Sequence, residues 1–233
     1  IKAILFDMDG VLIDARDWHY DALNKALDHF GYFISRDSHL STFDGLPTKD
    51  KLKILSKSQK LPVGLHEHIN NLKQKYTIQL SHEKCKPTFN HRLALSELKK
   101  KYKIAVCSNS IRNTIVTLME LSGLNKYIDL IISNEEVTRS KPDPEMYKTA
   151  MKKFNVSPKE CLILEDNDHG IQAALASGGN LFKVDTPDDV QIDKIEKLTD
   201  YSEYLWNGKL EGLVSLDSIE NFRDISNKYE EGD

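Results

Sequence analysis

The period of apolar positions changes twice along the chain. Lys2-Ala3-Ile4-Leu5-Phe6 is a short apolar run stopped by the acidic, glycine-containing turn Asp7-Met8-Asp9-Gly10, which is how a buried parallel strand reads. The period then becomes helical. Trp18, Ala22, Leu23, Ala26, Leu27 and Phe30 share one face, with Gly31 placed to end the segment, and a second stripe runs through Leu65, Ile69, Leu72, Tyr76 and Leu80. Between them, Phe43-Asp44-Gly45-Leu46-Pro47-Thr48-Lys49 reads as a Gly/Pro loop leading into a helix through Leu52, Ile54 and Leu55. No strand pattern falls between about 15 and 87, so this block is expected to be a small helical bundle.

Strand and helix then alternate. Strands are predicted at 103–107, 128–132, 161–165 and 180–184, with helices near 111–122, 144–154 and 168–177, the last burying Ile171, Ala174 and Leu175. This alternation predicts an α/β fold: a Rossmann-like, doubly wound parallel sheet interrupted after its first strand by an all-helical insert. The expected division is a discontinuous core of residues 1–14 and 88–233 and a helical cap of residues 15–87, compatible with a length of 233 residues. Beyond Asp185 the pattern weakens to an acidic segment with little periodicity, a short edge strand at Leu213-Val214-Ser215-Leu216 and a frayed end.

Composition narrows the function classes. With 39% apolar and 29% charged residues and a net charge of −4, the chain has no general basic footprint for nucleic acid. No run approaches the roughly 18 apolar residues of a membrane span, and no signal-peptide pattern precedes the first strand. A cytoplasmic protein, monomer or weak dimer, is expected. Cys85, Cys107 and Cys161 are far apart and form no metal or disulfide pattern, so they read as small buried hydrophobes.

Candidate chemistry collects at the ends of the predicted strands. Asp7 and Asp9 stand two apart in an extended stretch, where side chains point the same way, and Gly10 lets the backbone turn close to a ligand. Such a turn is also common as a solvated loop. The second core strand ends in Cys107-Ser108-Asn109-Ser110 at the start of a helix, either an anion site or an ordinary helix cap. After the third comes Arg139-Ser140-Lys141-Pro142, where a solvated lysine is the default meaning, and the fourth ends in Glu165-Asp166. In a parallel sheet all four ends meet at one edge, which makes coincidence hard to maintain.

The set of an Asp-x-Asp-Gly turn, a strand-end Ser, a Lys and a late acidic pair, in that order over about residues 1–185, resembles the haloacid dehalogenase superfamily. It is most similar to the branch of phosphoglycolate-phosphatase-like and β-phosphoglucomutase-like enzymes with a helical cap. The resemblance implies that Asp7 is a nucleophile forming an aspartyl-phosphate and that Asp9 is the general acid and base. It implies Mg²⁺ held by Asp7, the Asp9 carbonyl and Asp166, with Glu165 ligating through water. Lys141, Ser108 and the Asn109 amide would neutralise and hold the transferring phosphoryl group, with Gly10 close to the substrate. In the cap it points to His19 near the acid/base, equally readable as a residue on a solvated helix face, and to Thr48 and Lys49 as substrate contacts.

The implied activity is hydrolysis of a small phosphorylated metabolite, such as a sugar phosphate. A sugar-phosphate mutase shares the chemistry as far as the aspartyl-phosphate, but in the mutase an arginine occupies the position aligned with Thr48. Asp9 and the Glu165-Asp166 pair argue against a dehalogenase, and the position of Lys49 against a phosphonatase. A non-catalytic binding module need not keep all of these residues together.

Overall fold

The computed structural model describes residues 1–205 and 213–214. Its sheet contains β1 (Ala3–Phe6), β2 (Lys103–Cys107), β3 (Leu130–Ile132), β4 (Cys161–Glu165), β5 (Asn180–Lys183) and β6 (Leu213–Val214). Their order is β3-β2-β1-β4-β5-β6, and every neighbouring pair is parallel. The chain steps outward from β1 to β3, then returns to place β4 against the other side of β1. That reversal opens a crevice at the C-terminal ends of β1 and β4.

The helices are α1 (Arg16–Asp28), the single turn α2 (Arg36–Ser38), α3 (Thr48–Gln59), α4 (His66–Lys84), α5 (Phe89–Leu98), α6 (Arg112–Leu121), α7 (Glu145–Phe154), α8 (Asp168–Ser177) and α9 (Ile192–Leu205). Alternation in the central strands explains why both sheet faces are covered. Ile4, Phe6, Ile104, Val106, Leu162 and Leu164 point to the face packed by residues of α5, α6 and α9. Ala3, Leu5, Ala105, Cys107, Cys161 and Ile163 point to the face packed by α7 and α8. The helices between Arg16 and Lys84 have their own cluster, in which Leu23, Ala26 and Leu27 of α1 meet Leu52 and Leu55 of α3 and Ile69 of α4.

Four differences from the sequence expectation have physical causes. The strand predicted at 128–132 begins at Leu130, because the Asp129 carboxylate takes the Ile104 amide at 2.9 Å. The acidic stretch after Asp185 contains α9, whose Ile195 and Leu198 are buried; its pattern is sparse, and contacts such as Tyr102 Oη to Thr199 Oγ1 at 3.0 Å are made only in the fold. In α8 the buried face is Gly170, Ala173, Ala174 and Ser177, while Leu175 is exposed. Small residues let this helix lie close to the sheet, and Leu175 is left outside. In α4 the buried row is Ile69, Lys73, Thr77 and Ser81, at four-residue spacing, and Leu80 is only partly buried. The long α4 thus turns a polar row inward. Of the predicted edge strand, Leu213–Val214 pairs with β5 and positions 215–216 lie outside the described residues.

All three cysteines are free and buried. Burial pushes the Cys107 and Cys161 thiols up to about 12 and raises Cys85 as well, so none is a ready thiolate. A thiol reagent at neutral pH should therefore leave Cys107 and Cys161 unmodified in the folded protein and titrate all three cysteines in denaturant. Rapid modification of Cys107 or Cys161 without unfolding would contradict this packing.

Candidate active site

The site begins where the strands end. The Asp7 amide donates to the Leu164 carbonyl at 2.9 Å and the Ser108 amide to the Ile132 carbonyl at 3.0 Å, which continues the strand pairing and fixes both residues at the crevice. Lys141 arrives on the loop after β3. Its Nζ donates to Asp7 Oδ1 and Glu165 Oε1, each at 2.6 Å, and to the Cys107 carbonyl at 2.8 Å. Asp7, Lys141 and Glu165 are all buried. Glu165 also accepts from the Tyr147 hydroxyl and from the Asp166 amide.

The electrostatics follow from that burial. Desolvation pushes the Lys141 ammonium down, but Asp7 and Glu165 outweigh it and hold the amine well above its ordinary value, so it stays cationic. The Asp7 carboxyl is raised by burial and by the charges of Glu165, Asp166 and Asp9, against the pull of Lys141. Asp166 is raised to about 6 by burial and by Glu165, opposed by Arg16, whose Nη2 donates to Asp166 Oδ2 at 2.9 Å. Ligand oxygens of Asp7, Glu165 and Asp166 lie within 4.8 Å of one another. Crowded carboxylates, with Asp7 and Asp166 raised, and hard oxygen donors fit a divalent cation.

Asp9 lies beside this group and faces the cap. It accepts from Ser110 Oγ on Oδ2 at 3.2 Å and contacts His19 Nε2 through Oδ1 at 3.0 Å. Lys73 Nζ lies 3.2 Å from His19 Nδ1. The ammonium can only donate, so the proton of a neutral His19 is placed on Nε2 and donated to Asp9. Burial lowers His19, consistent with the neutral ring, while on Asp9 the cost of burial is outweighed by His19, Lys73 and Ser110, so its carboxyl is held below its ordinary value.

The cap reaches this edge through two links. Asn109 Nδ2 donates to the Gly45 carbonyl at 2.9 Å, and Arg16 bridges Asp44 Oδ2, at 3.1 Å from Nε, to Asp166 Oδ2, at 2.9 Å from Nη2. They enclose a cavity of about 250 Å³ whose lining includes Asp7, Asp9, His19, Thr48, Lys49, Ser108, Asn109, Lys141 and Asp166. Glu165 lies behind this wall, and Gly10 lines a neighbouring groove instead. The Ser108 hydroxyl accepts the Ser110 amide at 3.1 Å, and the Asn109 side chain also accepts the Lys141 amide at 3.1 Å. Lys49 is exposed, and the buried cap lysines are Lys51 and Lys73.

Sequence reasoning missed Arg16, Ser110, Tyr147, Lys51 and Lys73. Lys73 left a signal, because it stands four residues after Ile69 on an otherwise helical stripe. Arg16 and Tyr147 left none, since each meets a partner far away in sequence.

Two glycines are required by close approach. Gly10, at φ +91°, packs against Asp166, where an added Cβ would stand 2.0 Å from Oδ2. A Cβ on Gly170, in the first turn of α8, would stand 2.0 Å from Glu165 Oε1. Gly170→Ala should therefore destabilise the fold by roughly 1–3 kcal/mol in urea denaturation, reversing the ~1 kcal/mol that alanine normally gains inside a helix. A stabilised variant would mean that Glu165 is not held against α8.

A phosphorylated carbohydrates phosphatase of Thermotoga maritima is 27% identical over 187 residues, 76% of this chain and 82% of the relative. A probable pseudouridine-5'-phosphatase of Saccharomyces cerevisiae is 29% identical over 233 residues, 94% of this chain and 95% of the relative. Among solved structures, β-phosphoglucomutase of Clostridium difficile shares the fold with a TM-score of 0.75 at 24% identity, covering 88% of this chain and 99% of that one. CbbY of Rhodobacter sphaeroides, solved with phosphate, gives 0.71 at 24% identity, covering 78% and 84%. The family description of haloacid dehalogenase-like hydrolases matches residues 4–184, a span that includes the strand ends carrying Asp7, Ser108, Lys141 and Glu165, and the chain belongs to that family.

Proposed function

We propose that the protein is a Mg²⁺-dependent phosphatase of small organic phosphate monoesters, working through an aspartyl-phosphate on Asp7. The observation that carries this reading is the buried Asp7 carboxylate held 2.6 Å from Lys141 in one cavity with Asp9. The relatives described as phosphatases support it. In the same proposal, residues 1–14 and 88–233 form the catalytic core and residues 15–87 the cap that admits the substrate. A cavity of about 250 Å³ suits a metabolite of sugar-phosphate size.

Lys141 bonds one oxygen of Asp7, and the other attacks phosphorus while the ester P–O bond breaks. Asp9 in its acid form protonates the leaving oxygen; an approaching phosphate dianion favours that form by raising the Asp9 pKa. In the second half, Asp9 takes a proton from water as the water oxygen bonds to phosphorus, the bond to Asp7 breaks and phosphate leaves. His19 and Ser110 hold Asp9 ionised for that step. Lys141 neutralises the nucleophile side, and Ser108 and the Asn109 amide hold peripheral phosphoryl oxygens. Asp7, Asp166 and the Asp9 carbonyl would hold Mg²⁺, with Glu165 braced behind them by Lys141 and Tyr147. When bound, the ion supplies charge neutralisation for the transferring group.

Hydrolysis of an aryl phosphate should require Mg²⁺, stop with chelator and return when Mg²⁺ is restored. Asp7→Asn should abolish it, and Asp9→Asn should lower kcat by about 10²–10⁴-fold. Full activity in Asp7→Asn would overturn the mechanism. With sugar phosphates, phosphate should be released; an isomerised product without free phosphate would assign a mutase instead.

A further inference from the structure

Asp166 is claimed twice. It is one of the three clustered carboxylates that fit a cation, and its Oδ2 also accepts from Arg16 Nη2 at 2.9 Å. Arg16 is the first residue of α1, the helix whose Leu23, Ala26 and Leu27 enter the cap cluster, and its Nε pairs with Asp44 Oδ2 at 3.1 Å. One guanidinium thus ties a core carboxylate to a carboxylate of the cap loop. The two surfaces are close there, since Gly45, at φ +71°, lies so near Asn167 that a Cβ would stand 2.7 Å from Oδ1. Arg16 and Asp166 line the central cavity and two further grooves, so the pair is a wall common to all three.

An arginine on a metal-binding carboxylate can act in two opposite ways. It can hold the ligand in place and so help the ion, or cancel the ligand's charge and so compete with it. Here Asp166 is positioned without Arg16. Gly10 packs against it so closely that a Cβ would meet Oδ2 at 2.0 Å, and Asn167 Nδ2 donates to Oδ1 at 3.3 Å. The charge depends on Arg16 directly. With Asp7, Glu165 and Asp166 ionised, as a bound cation requires, Lys141 offsets one negative charge and Arg16 a second. Competition therefore outweighs positioning at this ligand.

We propose that Arg16 couples the cap to the cation site by competition: while it joins Asp44 to Asp166 it holds the cap loop on the core and weakens Mg²⁺ binding. A bound ion in turn loosens its hold on the loop, because a contact that lowers the affinity for an ion is itself weakened when the ion binds. The inference rests on the proposed Mg²⁺ site at Asp7 and Asp166. Arg16 is a positioning residue that acts through Asp166, and Asp44 draws on the same guanidinium from the other side. Without Asp44, Arg16 is left wholly to Asp166.

The test is calorimetric binding of Mg²⁺ to the full chain without substrate, joined to hydrogen exchange of the amides at 44–46. Arg16→Met should bind Mg²⁺ about tenfold tighter, and Arg16→Lys, which keeps the charge, should recover most of the original affinity. Asp44→Asn should bind the ion more weakly. A merely structural contact would shift Arg16→Met and Asp44→Asn in the same direction, since each breaks the same pair. The Arg16 side chain is 40% exposed, so its replacement opens no buried cavity. Mg²⁺ should speed exchange at 44–46 in the unsubstituted protein, and in Arg16→Met exchange should be fast with or without the ion. Unchanged or weaker Mg²⁺ binding in Arg16→Met overturns the coupling and leaves the metal site standing. An unsubstituted protein that binds no Mg²⁺ rejects the metal site and the coupling together.

Discussion

The buried contact of Lys141 with Asp7 and Glu165 is the interaction on which the rest of the molecule depends. Three ionisable groups out of water are tolerable only if each is paired and hydrogen-bonded. The Cys107 carbonyl and the Tyr147 hydroxyl complete that requirement from β2 and α7. The contact therefore ties together β1, β2, β4, α7 and the loop after β3. Even the packing of α8 answers to it, since only glycine at position 170 leaves room for Glu165.

Around that contact the cavity has two electrostatic regions. On the core side, carboxylates outnumber cations, an imbalance suited to a metal ion and an incoming phosphoryl group. On the cap side the imbalance is reversed, with Lys51 and Lys73 buried and His39 unpaired. Asp9 stands between them, joined to the core by Ser110 and to the cap by His19. A carboxylate held from both sides keeps this position only while Asn109 and Arg16 hold the Gly45 loop against the strand ends.

The residues legible in the sequence are those whose position follows from local pattern. Asp7, Ser108 and Glu165 stand at the ends of apolar runs, and a parallel sheet brings such ends together whatever the details of packing, whereas Lys141 lies on the loop after β3 and was legible only from the order of the family's motifs. α9 was not legible, because Ile195 and Leu198 provide too little periodicity and tertiary contacts supply the remainder. The exposed Leu175 and the inward polar row of α4 were misjudged for a related reason. Helical period says which residues share a face, but not which face a partner will cover.

The sequence by itself determined the α/β order, the helical insert after the first strand and the gathering of Asp7, Ser108 and Glu165 at one edge of the sheet, because these depend on period and chain direction. Tertiary structure alone decided how Glu165 is braced, which donors hold Asp9 and which cap lysines face the cavity. Those are relations between side chains as much as 134 positions apart, as for Lys141 and Asp7, or 150 apart, as for Arg16 and Asp166. A local pattern records neither such distances nor the burial that gives each charge its strength.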